Sequence, residues 1–163
     1  MSGFSPIRAL EVLRSHGVDL VVVGGVAAAA HGSPSLTGDL DICYDRSPDN
    51  LERLSSALKE LGTRLRGVAD DVPFGLDART LAAGDHFTFV TDAGDLHCLG
   101  TPAGTDGFAE LSAHAITIDL EGLPLRVASL EDLIRMKRAA GRAKDRAEIE
   151  ILGALRDEVA RGP

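Results

Sequence analysis

The chain has 163 residues, of which 44% are hydrophobic and 26% charged, a size and balance typical of one folded domain. The 25 acidic and 17 basic residues give a formal charge of −8. This charge argues against electrostatic binding of nucleic acid by the whole surface, so any polyanion would have to bind at a local basic patch. The longest weakly polar run, 20–30, is too short to cross a bilayer, which needs about 20 apolar residues. Residues 1–10 lack the pattern of an export signal. These features predict one domain over 1–163 in the cytoplasm.

The N-terminal half shows alternating helix and strand periodicities. Its predicted elements are a helix over 6–16, a strand over 18–23, a helix over 26–30, a strand over 39–44 and a helix over 50–61. Gly24 and Gly25 end the first strand, and Gly62 marks the end of the third helix.

The C-terminal half predicts more strands before two final helices. Its predicted elements are a hairpin of strands over 86–91 and 95–99, strands over 115–119 and 123–127, and helices over 130–140 and 144–161. Ser129 with Asp132 resembles a capping box at the start of the first of these helices. Residues 66–85 predict no element. The order indicates an α/β (α+β) domain with a mixed sheet of about five strands flanked by helices.

The run Gly38-Asp-Leu-Asp-Ile42 carries the strongest chemical signal. Alternate side chains of a strand share a face, so Asp39 and Asp41 project together. Two carboxylates about 4 Å apart repel by roughly 4 kcal/mol at an effective dielectric near 20, which favours a bound cation. Asp95, after the turn of the predicted hairpin, would complete a three-carboxylate site for Mg²⁺ or Mn²⁺ if the sheet brings it alongside. An exposed strand face is the alternative.

Other motifs restrict the chemistry further. The spacing after Gly24 matches no dinucleotide fingerprint, and no P-loop sequence occurs. Glycines at the start of a helix permit close approach of a phosphate. Cys43 and Cys98 lie in no metal-binding or disulfide pattern, so we expect two buried thiols.

The combination of a strand, Gly24-Gly25, a spacer and the Asp39/Asp41 strand resembles the nucleotidyltransferase superfamily of the DNA polymerase β type. With the hairpin and the tail from 127 to 152, it is similar to the branch of AbiEii/MenT-type toxins. The resemblance covers about 18–152. It implies metal binding by Asp39, Asp41 and Asp95, and a triphosphate near Gly24, Gly25 and Thr37, where Ser35 stands in place of an arginine that many relatives carry.

Six of the 17 basic residues lie within twelve positions: Arg135, Lys137, Arg138, Arg142, Lys144 and Arg146. Lys137 continues the apolar stripe of its helix, and Asp145 lies on the stripe of the next, so both point toward a pocket edge. The resemblance implies that Lys137 clamps the triphosphate and that Asp145 positions the acceptor or metal.

The remaining charged residues of this region are divided between two roles. Arg142 and Lys144 are assigned to nucleotide binding, whereas the other arginines are expected on a solvated face. Structural roles are expected for His31 and His97.

The predicted activity is metal-assisted transfer of a nucleoside monophosphate from an NTP to an acceptor hydroxyl, with two ions roughly 3.5–4 Å apart. The acceptor would be RNA, tRNA or protein, in a toxin role with a cognate antitoxin partner. Three alternatives stay open: an antibiotic nucleotidyltransferase, a noncatalytic partner-binding module of this fold, and an unrelated Mg²⁺ nuclease or sugar transferase.

Overall fold

The computed structural model describes residues 3–67 and 75–162. The helices in this part of the chain are α1 (Pro6–Ser15), α2 (Gly24–Ala30), α3 (Pro48–Glu60), α4 (Ala78–Ala83), α5 (Phe108–His114), α6 (Leu130–Ala140) and α7 (Asp145–Arg161). The strands are β1 (Leu20–Val23), β2 (Asp39–Tyr44), β3 (Arg64–Leu65), β4 (His86–Thr91), β5 (Gly94–Leu99), β6 (Ile116–Leu120) and β7 (Leu123–Val127). Part of the unassigned stretch 66–85 lies outside the described residues.

The strands form one mixed sheet in the order β3-β4-β5-β2-β1-β7-β6. β1 and β2 are antiparallel neighbours, and β2 runs parallel to β5 at the centre of the sheet. The predicted hairpin is confirmed as the antiparallel pair β4 and β5, and β6 pairs with β7 in the same way. The α/β prediction with a mixed sheet is therefore confirmed, with seven strands where about five were expected.

The core forms where the β-branched and leucine-rich runs of the sequence meet. Three valines of β1 and the leucines of α1 and α3 are buried in one cluster with the apolar face of the sheet. α1 packs on α3, and α6 packs on both α2 and α7. This arrangement places α2, α6 and α7 together beside the β2 carboxylates. No helix in the described ranges is long and apolar enough to cross a membrane.

Local signals in the sequence set the ends of α6. The Ser129 side chain accepts a hydrogen bond from the Asp132 backbone N–H, as the capping box predicts. Gly141 ends the helix in the left-handed conformation at φ 64°, which costs glycine little because it has no Cβ. The prediction for α2 is wrong by two residues, since the helix begins at Gly24 and includes both glycines.

Candidate active site

The Asp39 and Asp41 side chains lie on one face of β2, as the alternation of the strand predicts. Asp39 is 42% exposed and Asp41 25% exposed at the side chain. Burial raises the pKa of Asp41, and the nearby charge of Asp39 raises it further, while His97 and Lys137 act in the opposite direction. The pair is thus a partly buried concentration of negative charge.

His97 is the β5 side chain that meets this pair. In the parallel register of β2 and β5, His97 lies opposite Asp41. Its Nδ1 is 3.0 Å from Asp41 Oδ1, and its Nε2 is 4.0 Å from Asp39 Oδ2. The shorter contact is not an aligned hydrogen bond, because Asp41 Oδ1 is buried and has no hydrogen-bond partner within the described residues.

Asp95 lies two pairs away in the same register, opposite Asp39. Its carboxylate faces the Arg66 guanidinium at 3.7 Å. Within residues 3–67 and 75–162, no group of three or more His, Cys, Asp or Glu side chains is arranged to hold a metal ion. The predicted three-carboxylate group is therefore not assembled here, and His97 occupies the position beside Asp41.

The two glycines of α2 provide room for the side chains of β2 and of the loop before it. A Cβ on Gly24 would lie 2.1 Å from Asp41 Oδ2, and one on Gly25 would lie 2.7 Å from the Thr37 Cβ. Gly24 also has φ +67°, a conformation that other residues rarely adopt. The Thr37 hydroxyl accepts from the Asp39 N–H at 3.3 Å and donates to the Asp39 carbonyl at 3.1 Å. Thr37 thus fixes the start of β2, the strand that carries Asp39 and Asp41.

Asp145, in the first turn of α7, holds two cations together. Arg142 Nε donates to its Oδ2 at 2.8 Å and Lys137 Nζ to its Oδ1 at 3.3 Å. These bonds, that of Arg142 first, lower the pKa of Asp145. The side chain is 4% exposed, and its two oxygens contact Lys137 and Arg142.

Ser35 lies in a different environment from the one expected of a phosphate contact. Its Oγ donates to Glu148 Oε2 at 2.6 Å, and the Ser33 Oγ donates to Glu148 Oε1 at 3.2 Å. The loop between α2 and β2 is therefore attached to α7. Lys144, at the N-cap of α7, is exposed.

One cavity of about 390 Å³ is lined by five of the predicted site residues. These are Gly24, Gly25, Asp41, Lys137 and Arg142. The rest of the lining is mainly apolar and comes from β5, the following loop, α6 and α7: Leu99, Pro102, Ala103, Leu133, Met136, Ala140 and Leu152. The predicted residues Ser35, Thr37, Asp39, Asp95, Lys144 and Asp145 are not part of the lining.

Two predicted buried groups and one predicted structural histidine are found as expected. Cys43 and Cys98 are buried free thiols. The His31 ring hydrogen-bonds the Ala128 carbonyl at 2.8 Å and links α2 to the end of β7. His97 differs from the expectation because it contacts the carboxylate pair. Glu148 is a further residue that the sequence analysis missed.

Comparison with known proteins identifies the fold. No protein-family model and no curated protein matches the sequence. The chain superimposes on the lincosamide antibiotic adenylyltransferase LnuA, solved with lincomycin bound, with a TM-score of 0.63 at 12% identity, covering 94% of this chain and 99% of that one.

Two further solved structures match over nearly their whole length. TM1012 of Thermotoga maritima, assigned provisionally as a nucleotidyltransferase, gives a TM-score of 0.50 at 16% identity, covering 98% of this chain and 97% of the other. The antibiotic-resistance factor ANT(2'')-Ia gives 0.50 at 19% identity, covering 94% and 90%. The chain therefore has the nucleotidyltransferase fold.

Proposed function

We propose that the chain is a nucleotidyltransferase that moves a nucleoside monophosphate from an NTP to an acceptor hydroxyl and releases pyrophosphate. The observation that carries this proposal is the single cavity in which Gly24 and Gly25, the Asp41 carboxylate and the Lys137/Arg142 pair converge. Anionic phosphates and a hydroxyl nucleophile both need such a mixture of open backbone, cations and carboxylate.

Lys137 and Arg142 supply the positive side of the cavity. They share the one buried carboxylate of Asp145, so the three groups carry a formal charge of +1. Because Asp145 fixes both cations before a ligand arrives, little reorganisation is needed when negative charge develops on the phosphates. We assign the triphosphate to this side of the cavity.

Asp39 and Asp41 are the residues that would hold a divalent cation. The donor set fits Mg²⁺ or Mn²⁺, since such ions bind through one or two carboxylates together with substrate phosphates. The buried Asp41 Oδ1, which has no hydrogen-bond partner in the described part of the chain, supports this assignment. When bound, the ion would polarise a phosphoryl oxygen and neutralise charge there. The chain's own residues hold the phosphates and orient the acceptor hydroxyl.

Two acceptor classes are proposed. The first, from the resemblance to AbiEii/MenT-type toxins, is an RNA, tRNA or protein hydroxyl, with a cognate antitoxin as partner. The second is a small antibiotic hydroxyl. It is supported by the match along nearly the full length of LnuA and ANT(2'')-Ia and by the apolar part of the cavity lining, which suits a compact organic ligand.

The test is transfer of label from each α-labelled NTP, with Mg²⁺ or Mn²⁺, to total RNA, to cell protein, or to a panel of aminoglycosides and lincosamides. Asp39→Ala and Asp41→Ala should each reduce transfer by at least about 10²-fold, since each removes a group aimed at developing charge. Asp157→Ala, an exposed carboxylate on α7, is the matched control and should not change the rate.

Three outcomes would contradict parts of the proposal. Transfer at the wild-type rate by either β2 variant would refute the assigned site. Nucleotide binding without turnover on any acceptor would indicate the noncatalytic module. Label found in one acceptor class and absent from the others would decide between toxin-type and antibiotic-modifying activity.

A further inference from the structure

The position on β5 that faces both catalytic carboxylates holds an imidazole. The register of β2 with β5 brings residue 97 opposite Asp41, and its ring spans from 3.0 Å of Asp41 Oδ1 to 4.0 Å of Asp39 Oδ2. Residue 97 is therefore the residue of β5 whose side chain contacts the Asp39 and Asp41 carboxylates.

No acid takes over that role from a neighbouring position. Asp95 shares the face of His97 but lies opposite Asp39 at the start of the strand, and its carboxylate pairs with Arg66, which follows β3, two strands away in the sheet. Asp145 is engaged with Lys137 and Arg142. The described residues contain no group of three or more His, Cys, Asp or Glu side chains arranged to hold a metal ion.

The geometry points to a site that holds one divalent cation per bound nucleotide, with His97 standing where a carboxylate would support a second. Two hard cations a few ångströms apart need negatively charged oxygens between them to offset their repulsion. An imidazole provides no negative charge and is a poor ligand for Mg²⁺. Two carboxylates and the triphosphate suffice for one ion. This inference rests on the proposed function and concerns how its site is loaded.

The number of bound ions tests the inference without any measurement of activity. The protein is saturated with a nonhydrolysable α,β-methylene NTP and titrated with Mn²⁺, and bound Mn²⁺ is counted by electron paramagnetic resonance and by calorimetry. We expect one Mn²⁺ per wild-type complex and two for His97→Asp, because the new carboxylate joins Asp39 and Asp41. Asp95→Asn is the matched control and should leave the count at one.

Each result bears on a defined statement. Two Mn²⁺ ions in the wild-type complex would overturn the inference even if His97→Asp failed to fold, and so would a count of one in a folded His97→Asp protein. A lower count for Asp95→Asn would return that residue to the ligand set and also overturn it. Failure of the wild-type protein to bind the nucleotide at all would instead refute the proposed function.

Discussion

Replacing Gly24, the first residue of α2, with Ala tests whether this glycine is needed to make room for the Asp41 side chain of β2. The added Cβ would lie 2.1 Å from Asp41 Oδ2. To restore ordinary contact near 3.4 Å, the carboxylate must move by about 1.3 Å, since atoms closer than this repel steeply. The substitution thus changes the position of Asp41 while leaving its chemistry intact.

The expected magnitudes come from two separate effects. The positive φ of Gly24 costs an alanine about 1–2 kcal/mol, which lowers the Tm by about 2–8 °C in a domain of this size. The displaced carboxylate should lower transfer by about 10²-fold, the cost of a misplacement near 1 Å at a reacting centre.

Gly122→Ala separates these effects. Gly122 has φ +86°, but a Cβ there meets nothing within 4 Å, so this variant carries the conformational cost without the clash. Thermal unfolding and NTP transfer are measured for both variants. We expect similar losses of Tm and a loss of transfer in Gly24→Ala alone. Equal transfer by the two variants would refute the argument that Gly24 is needed to make room for Asp41.

Three further predictions concern α7 and the thiols. Ser35→Ala should destabilise the protein by about 1 kcal/mol and Glu148→Ala by more, because Glu148→Ala removes the bond from Ser33 as well as the bond from Ser35. Denaturant titrations of the double variant should show a loss clearly below the sum, because both single variants remove the Ser35–Glu148 bond; full additivity would show that this bond is not formed. Asp145→Asn should be less stable than wild type at pH 7, with the difference vanishing in acid: the lowered pKa of Asp145 gives stabilisation that is present above the unfolded pKa of about 3.9 and is lost as pH falls through the native pKa. A difference that did not shrink as the pH fell below about 3.9 would contradict this. Burial raises the pKa of the Cys43 thiol to about 12 and also raises the pKa of Cys98. Neither thiol should therefore react with a disulfide reagent at pH 8 until the protein is unfolded. Fast labelling of the native protein would disprove the burial.

Local patterns in the sequence were sufficient for much of the fold. The alternation of β2 predicted that Asp39 and Asp41 share a face, and the capping signal at Ser129 predicted the start of α6. The short elements β3, α4 and α5 were missed because two, six and seven residues are too few to show a clear period.

Residues brought together from distant parts of the chain could not be read from the sequence. Asp95 and His97 lie on the same face of β5, so periodicity alone cannot say which one meets Asp41. That choice depends on the parallel register with β2, which is set by pairing between strands more than 50 positions apart. The bond between Ser35 and Glu148 joins residues 113 positions apart, and no local pattern predicts it.

The first turn of α7 has a consequence for how the chain can be shortened. Asp145 contacts Lys137 and Arg142. Glu148, one turn later, contacts Ser33 and Ser35 in the loop between α2 and β2. A protein cut after Gly141 would keep Asp39, Asp41 and both glycines of α2. Lys137 would nevertheless lose its carboxylate partner, and the loop between α2 and β2 would lose its attachment to α7. The C-terminal helix is therefore an integral part of the proposed site, and we expect a gene fragment that ends before it to encode a domain without transfer activity although its acidic motif is complete.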